Sequence, residues 1–364
     1  MALTINELEL KGFRNYEHFL MQMNPGISIV VGPNAVGKTN LLEAIQLVTA
    51  GESFRRPKWI EVVKENEPAA AVNMKASGDG QLLDVSLKIE NNRREYTINE
   101  KRKRPKDLLG RIPCVVFTPD DLFMIKGPAE ERRRTIDEAG DQLSASYARL
   151  RTTYSRLLKQ RNAALRAETV GQQMDVLDEQ IVDVGAKLTA HRARLSNRLA
   201  TKAAVLYSNM AGNEELSVEL QPSWVRLGVP NTGCSEDEAR TALTKALSKA
   251  AREERARMLT TVGPHRDDLV FKIGGVDART YASQGQQRSA ALAWKLAEVG
   301  VIEDLLGNRP ILLLDDVMSE LDKSRRSALT EVLSYTTQTL ITTANLQYFA
   351  PEMLSSTTVV ELAP

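Results

Sequence analysis

Two periodicities divide the chain. Ile27-Ser28-Ile29-Val30-Val31 is a short apolar run leading into a Gly-rich turn, which predicts a buried strand followed by a helix over 39–49. Val72/Met74/Ala76, Val85/Leu87/Ile89 and Tyr96/Ile98 alternate with polar residues, as half-buried antiparallel strands do. From 144 to 210 the period lengthens. Tyr147, Leu150, Tyr154 and Leu157, then Met174, Leu177, Ile181, Val184 and Leu188, recur about every 3.5 residues, with Gly171 between the two runs. That pattern predicts two long helices packed as an antiparallel arm. Ser235-Glu236-Asp237-Glu238 is a capping box opening a further helix to about Met258. A strand over 269–273, a helix after Gln284, the strand Ile311–Leu314, a helix from Lys323 and the strand Leu340–Thr342 follow. The expected architecture is an α/β head built from both chain ends, 1–125 and 260–364, with a mainly helical lobe over 126–259.

Composition narrows the class. At 364 residues the chain is long enough for about two domains, and 42% apolar with 26% charged residues is the balance of a soluble globular protein. The longest aliphatic run, Ile311–Leu314, is far short of the roughly 20 residues that span a bilayer. The N-terminus has no apolar segment of a secretory signal. Two cysteines, Cys114 and Cys234, form no CxxC pair, and three histidines argue against a zinc centre; a reduced, cytoplasmic setting is expected. The net charge of +1 hides segregation: residues 92–166 carry 18 Lys/Arg against 10 Asp/Glu, and residues 310–364 carry 3 against 7.

Gly32-Pro33-Asn34-Ala35-Val36-Gly37-Lys38-Thr39 matches G-x-x-x-x-G-K-[ST], with a strand before it and a helix after it. In such a loop backbone N–H groups wrap phosphates, Lys38 reaches the β/γ-phosphates and the Thr39 hydroxyl binds Mg²⁺. Ile311-Leu312-Leu313-Leu314-Asp315-Asp316 is an apolar strand ending in two carboxylates. Asp315 stands where an acid holds Mg²⁺, and Asp316 where a base orients or deprotonates the attacking water. Ser283-Gln284-Gly285-Gln286 opens a helix about 30 residues earlier and resembles the signature loop of ATP-binding-cassette ATPases, with Ser283, Gly285 and Gln286 poised for a γ-phosphate. Val317-Met318-Ser319-Glu320-Leu321-Asp322 resembles the D-loop of those proteins.

The spacing between the P-loop and the signature loop is too wide for a transporter cassette. It is too short for the long coiled coils of SMC proteins. With Leu10–Tyr16, Ser53–Arg56, Val116–Leu122, Arg132–Arg134 and Gly263–Leu269, the motifs place the chain as similar to the RecF family of SMC-like cassette ATPases. The resemblance implies a cytoplasmic protein that binds ATP and Mg²⁺ and engages single-stranded DNA and single/double-strand junctions. It further implies work with RecR and RecO in loading RecA, in repair, replication restart and the SOS response. ATP-driven homodimerisation, with the signature loop facing the partner's ATP, is implied as well. Arg14 and Tyr16 fall where the family approaches the nucleotide, and Arg55 where phosphate of ATP or DNA is reached.

Two departures set expectations about turnover. Asp316 replaces the usual Glu, and Thr342-Thr343-Ala344 stands where a switch histidine is usual, which points to slow hydrolysis acting as a timer. Asp120 and Asp121 fall near the family's Q-loop, but its Gln is absent, which argues against a metal contact there. Lys101-Arg102-Lys103-Arg104 is a basic run expected on a loop, suited to phosphate tracking. Aromatic residues, 5% of the chain, do not interleave with it. The rival readings are a transporter energy subunit and a short SMC-like structural clamp without regulated turnover; the lack of N-K-x-D argues against a GTPase.

Overall fold

The computed structural model describes residues 3–363 except 79, 213, 232–234 and 334–337; Cys234 lies outside the described residues. The chain folds into two compact units, Met1–Leu122 with Lys295–Pro364, and Phe123–Trp294.

The first unit has two sheets. One is antiparallel, ordered β2 (Tyr16–Gln22), β1 (Thr4–Phe13), β4 (Ala69–Gly78), β5 (Gln81–Glu90), β6 (Arg93–Ile98) and β7 (Lys101–Lys103). The other is parallel, ordered β14 (Thr358–Glu361), β3 (Gly26–Val31), β13 (Gln338–Thr343), β12 (Ile311–Asp315) and β8 (Cys114–Phe117). Both β12 and β13 are buried throughout, as parallel strands covered on two faces must be. Helix α1 (Lys38–Ala50) packs on strands of both sheets and buries Leu41, Leu42, Ala44, Ile45, Leu47 and Val48 as a wide apolar face. The short helices α2 (Trp59–Val62) and α10 (Pro351–Ser355) and helix α9 (Lys323–Leu333) complete the unit. Gln338, fully buried at the start of β13, accepts from the Ile5 N–H and donates to the Ile5 carbonyl, both at 2.8 Å. Its amide thus satisfies β1 where that strand's register shifts between Ile5 and Glu7.

Helices α3 (Ala129–Leu143), α4 (Ala145–Arg166), α5 (Gln172–Met210), α6 (Glu236–Arg257) and the short α7 (Ala278–Tyr281) belong to the second unit, and α8 spans Gln284–Leu306. A small sheet orders β11 (Val276–Asp277), β10 (Asp268–Ile273) and β9 (Leu216–Gln221). The expected arm is present: α4 and the 39-residue α5 pack together through Tyr147, Tyr154, Leu157, Ile181 and Leu188. Ser235 caps α6 as its sequence indicates, with the reciprocal Glu238 contact. Segment 260–294, grouped with the head from sequence, packs in this second unit because β10 pairs antiparallel with β9. The basic run expected on a loop is instead largely the edge strand β7.

The Gly263–Asp268 segment organises the lobe. Its carbonyl at Pro264 accepts from Arg192, which also forms a two-bond pair with Asp137 at 2.9 and 2.8 Å. His265 Nε2 donates to the Thr260 carbonyl, so its Nδ1 accepts from Tyr154 Oη at 2.8 Å, and burial pulls its pKa down to about 4. Asp267 accepts from the Ser223 N–H, and Asp268 takes a two-bond pair from Arg132. With Arg192 4% and Asp137 8% exposed, removing one partner strands a buried charge. Asp137→Ala is therefore expected to lower unfolding stability by about 3–5 kcal/mol, read by urea denaturation of the lobe's helical signal. A loss under about 1 kcal/mol would mean that the pair is solvated.

Candidate nucleotide site

The parallel sheet decides the geometry of the site. β13 lies between β3 and β12, so the loop after β3 and the acids after β12 leave the sheet at the same, carboxyl edge. The loop needs its glycines. Gly37, the N-cap of α1, has φ +114°, and a Cβ there would sit 2.6 Å from the Asn15 amide and 2.9 Å from Tyr16 Oη. Asn15 donates to the Val36 carbonyl at 2.7 Å and accepts from Asn40. Segment Leu10–Tyr16 thus braces the P-loop from outside. Tyr16 Oη is buried without a partner among the described residues, and burial pushes its pKa well above the usual tyrosine value.

Lys38 is 7% exposed and its Nζ donates to the carbonyls of Gly32 and Pro33 at 2.8 and 2.9 Å. Thr39 Oγ1 donates to Asp315 Oδ1 at 2.8 Å. The same oxygen accepts from Thr342 Oγ1 at 2.9 Å, and Thr342 Oγ1 accepts from the Asp316 N–H at 3.0 Å. Thr342 therefore positions both acids. Asp316 sits at φ +49° with Oδ1 buried and unpartnered among the described residues, and burial raises its carboxyl pKa while Lys38 opposes the rise. A desolvated, cation-facing carboxylate with a free oxygen is suited to accept a proton from water.

Arg14 and Arg55 sit together, but on a carboxylate. Arg14 pairs with the fully buried Glu43 through Nε and Nη2 at 2.9 and 2.8 Å, and its Nη1 donates to the Glu61 carbonyl. Arg55 donates to Asn40 Oδ1 at 2.6 Å and lies 3.4 Å from Glu43; Ser53 Oγ also donates to Glu43. Asp121 accepts from the Thr118 N–H and hydroxyl, which closes a turn, and Asp120 is exposed. Sequence reasoning passed over Glu43, although a carboxylate four residues after Thr39 on an apolar helix signals a buried partner for cations. Asn40 was passed over too.

In the second unit Ser283 and Gln286 form a capping box at the start of α8: the Ser283 N–H donates to Gln286 Oε1 at 2.9 Å and Ser283 Oγ accepts from the Gln286 N–H at 3.2 Å. Ser283 and Gln284 are exposed, Gly285 is half-buried, and the Gln286 amide is held by Glu214 at 3.0 Å. Of the basic run, Arg102 faces Glu95 at 3.4 Å and Arg104 faces Asp107, while Lys101 and Lys103 register with Ile98 and Tyr96 on the opposite side of β7. Among the described residues no group of three or more His, Cys, Asp or Glu could hold a metal, and no helix is long and apolar enough to cross a membrane.

P-loop, acid pair and parallel sheet define an SMC-like head of the cassette-ATPase fold. The RecF/RecN/SMC N-terminal domain family matches residues 4–360. The DNA replication and repair protein RecF of Symbiobacterium thermophilum is 39% identical over 94% of this chain and 92% of its own. That of Heliobacterium modesticaldum is 38% identical over 97% and 95%. A solved structure of the recombination mediator protein RecF-ATPrS in the RecFOR pathway superposes with TM-score 0.88 at 30% identity, over 96% of this chain and 94% of that one. An SMC head bound to the C-winged helix domain of ScpA shares the fold, at TM-score 0.56 and 16% identity. The chain belongs to the RecF family of DNA replication and repair proteins.

Thr342→Val keeps the shape and removes the hydroxyl that joins the two acids. An unfolding free energy lower by about 1–3 kcal/mol is expected, with most of it recovered by Thr342→Ser. Equal stability of the Val variant in urea would show that the hydroxyl organises nothing.

Proposed function

We propose that this protein is an ATP-binding, slowly hydrolysing switch of recombinational DNA repair, which acts in the cytoplasm on single-stranded gaps and junctions with RecR and RecO upstream of RecA. The observation that carries the reading is the Thr39–Asp315 hydrogen bond beside Lys38, a hydroxyl and a carboxylate already gathered at a phosphate-binding loop. The ATP-bound state named for the solved RecF relatives supports it.

Lys38 leaves the Gly32 and Pro33 carbonyls for the β/γ-phosphates, and the loop's N–H groups with the α1 N-terminus receive the remaining charge. Thr39 and Asp315 fit a Mg²⁺ ion: two hard oxygens stand 2.8 Å apart, and such ions take their other ligands from water and phosphate. When bound, the ion offsets charge that develops on the phosphoryl oxygens. Asp316 takes the proton of the attacking water, so hydrolysis is lost as pH falls through its raised pKa. Two features slow this step. The Asp316 carboxylate is one methylene shorter than the usual Glu, and the Thr342 proton is already donated to Asp315.

Ser283 Oγ accepts within its own capping box, which leaves its O–H free to donate outward, and it is exposed. Two heads packed head to tail would bring this hydroxyl and the N-terminus of α8 to the partner's γ-phosphate, so that ATP favours the dimer. Ser283→Arg tests the scheme. The variant is expected to bind ATP as the wild type does, to stay monomeric by light scattering with a non-hydrolysable analogue, and to lose hydrolysis; Lys38→Met is expected to lose ATP binding itself. Dimerisation of Ser283→Arg at wild-type concentration would overturn the composite site.

A further inference from the structure

Helix α4 carries a basic stripe. Its 22 residues hold six cations, Arg149, Arg151, Arg156, Lys159, Arg161 and Arg166, and no carboxylate. Two of the six are used internally: Arg161 is buried against Glu254 and Asp178, and Arg151 pairs with Asp141. The other four, Arg149, Arg156, Lys159 and Arg166, are exposed and make no ion pair or side-chain hydrogen bond among the described residues. At 3.6 residues per turn they fall within about 100° of arc, along about 26 Å of helix. Thr152, Ser155, Gln160 and Ala163 fill the gaps between them, so the stripe holds no acid and no bulky apolar group.

We propose that this face of α4 is a docking surface for the sugar-phosphate backbone of duplex DNA. It rests on the reading of the protein as a DNA-repair switch and assigns that reading a contact surface. Unpaired cations on a rigid helix are the complement of a regularly spaced polyanion, and the four of them can neutralise about four phosphates. Small hydroxyl and amide side chains between the cations let the backbone approach, and they supply further donors to phosphate oxygens. A single strand is the poorer fit, since no aromatic side chain on the stripe offers a base a stacking platform. A lipid surface is poorer still. The apolar face that an interfacial helix would insert is spent in the lobe, where Tyr147, Tyr154, Leu157 and Leu165 are buried. The β7 run is less suited: Arg102 and Arg104 already face carboxylates, and Lys101 and Lys103 point to the other side of the strand.

The test is fluorescence anisotropy of a labelled duplex bearing a single-stranded gap, titrated with the full-length protein and ATP at several salt concentrations. Changing Arg149, Arg156, Lys159 and Arg166 together to Gln is expected to weaken binding at least about tenfold near 0.1 M salt and to lower the slope of log K against log salt by roughly 3 to 4, near 0.9 per phosphate contact. The same variant should keep its melting curve and its ATP affinity, because none of the four has a partner to lose. Replacing Lys101, Arg102 and Lys103 by Gln is expected to change the slope less. An unchanged slope in the α4 variant, with a wild type that binds the duplex, overturns the stripe and leaves the DNA reading intact. A wild type that binds no DNA overturns both. Loss of binding to phosphatidylserine vesicles without loss of binding to the duplex overturns it in favour of a membrane.

Discussion

The site depends on a hydrogen bond between distant parts of the chain. Thr39 Oγ1 reaches Asp315 Oδ1 across 276 positions of sequence, and this is possible only because β13 inserts between β3 and β12 in the parallel sheet. β13 is more than a spacer. Its Thr342 hydroxyl reaches the same carboxylate oxygen, and its Thr343 carbonyl takes the Gly32 N–H at 3.3 Å. The last strands of the chain therefore hold both the phosphate loop and the acids. Parallel pairing of this kind is slow to form, since its loops must close before any contact repays the entropy.

A second layer of constraint lies under the loop. Glu43 is a carboxylate with no exposure, among the mainly apolar inward residues of its helix, so it must be paired to remain charged. Arg14, Arg55 and Ser53 supply the pairing, and Asn40 ties Arg55 to Asn15 and so to the P-loop carbonyl at Val36. The order of the Ser53–Arg56 segment is thereby linked to the conformation of the loop that takes the phosphates. Gly37 shows the tightness of this arrangement, because its missing Cβ is the space in which Asn15 and Tyr16 stand.

The parts of the fold that were legible are those whose chemistry is local. The P-loop needs glycines, a lysine and a threonine in consecutive positions, and the acid strand needs an apolar run before two carboxylates, so both can be read off the residues. The arm was legible through Tyr147, Tyr154, Ile181 and Leu188, whose period matches the face that they bury. What escaped depends on pairing between distant segments. Arg14 was expected from its sequence context to approach a nucleotide, yet its guanidinium is committed to Glu43, 29 positions away. Lys101–Lys103 has the composition of a loop and becomes a strand because β6 offers it an edge. Segment 260–294 follows β9 into the second unit for the same reason, a ladder that no local pattern encodes.

Thr39 and Asp315, joined by their hydrogen bond, are proposed to act as one device toward Mg²⁺. A double-mutant cycle on ATP affinity, measured by calorimetry with and without Mg²⁺, tests it most directly. Thr39→Val and Asp315→Asn should each abolish the gain in affinity that Mg²⁺ brings, and the double variant should be no weaker than either. Additive losses, or a Mg²⁺ gain that survives in both single variants, would contradict the account.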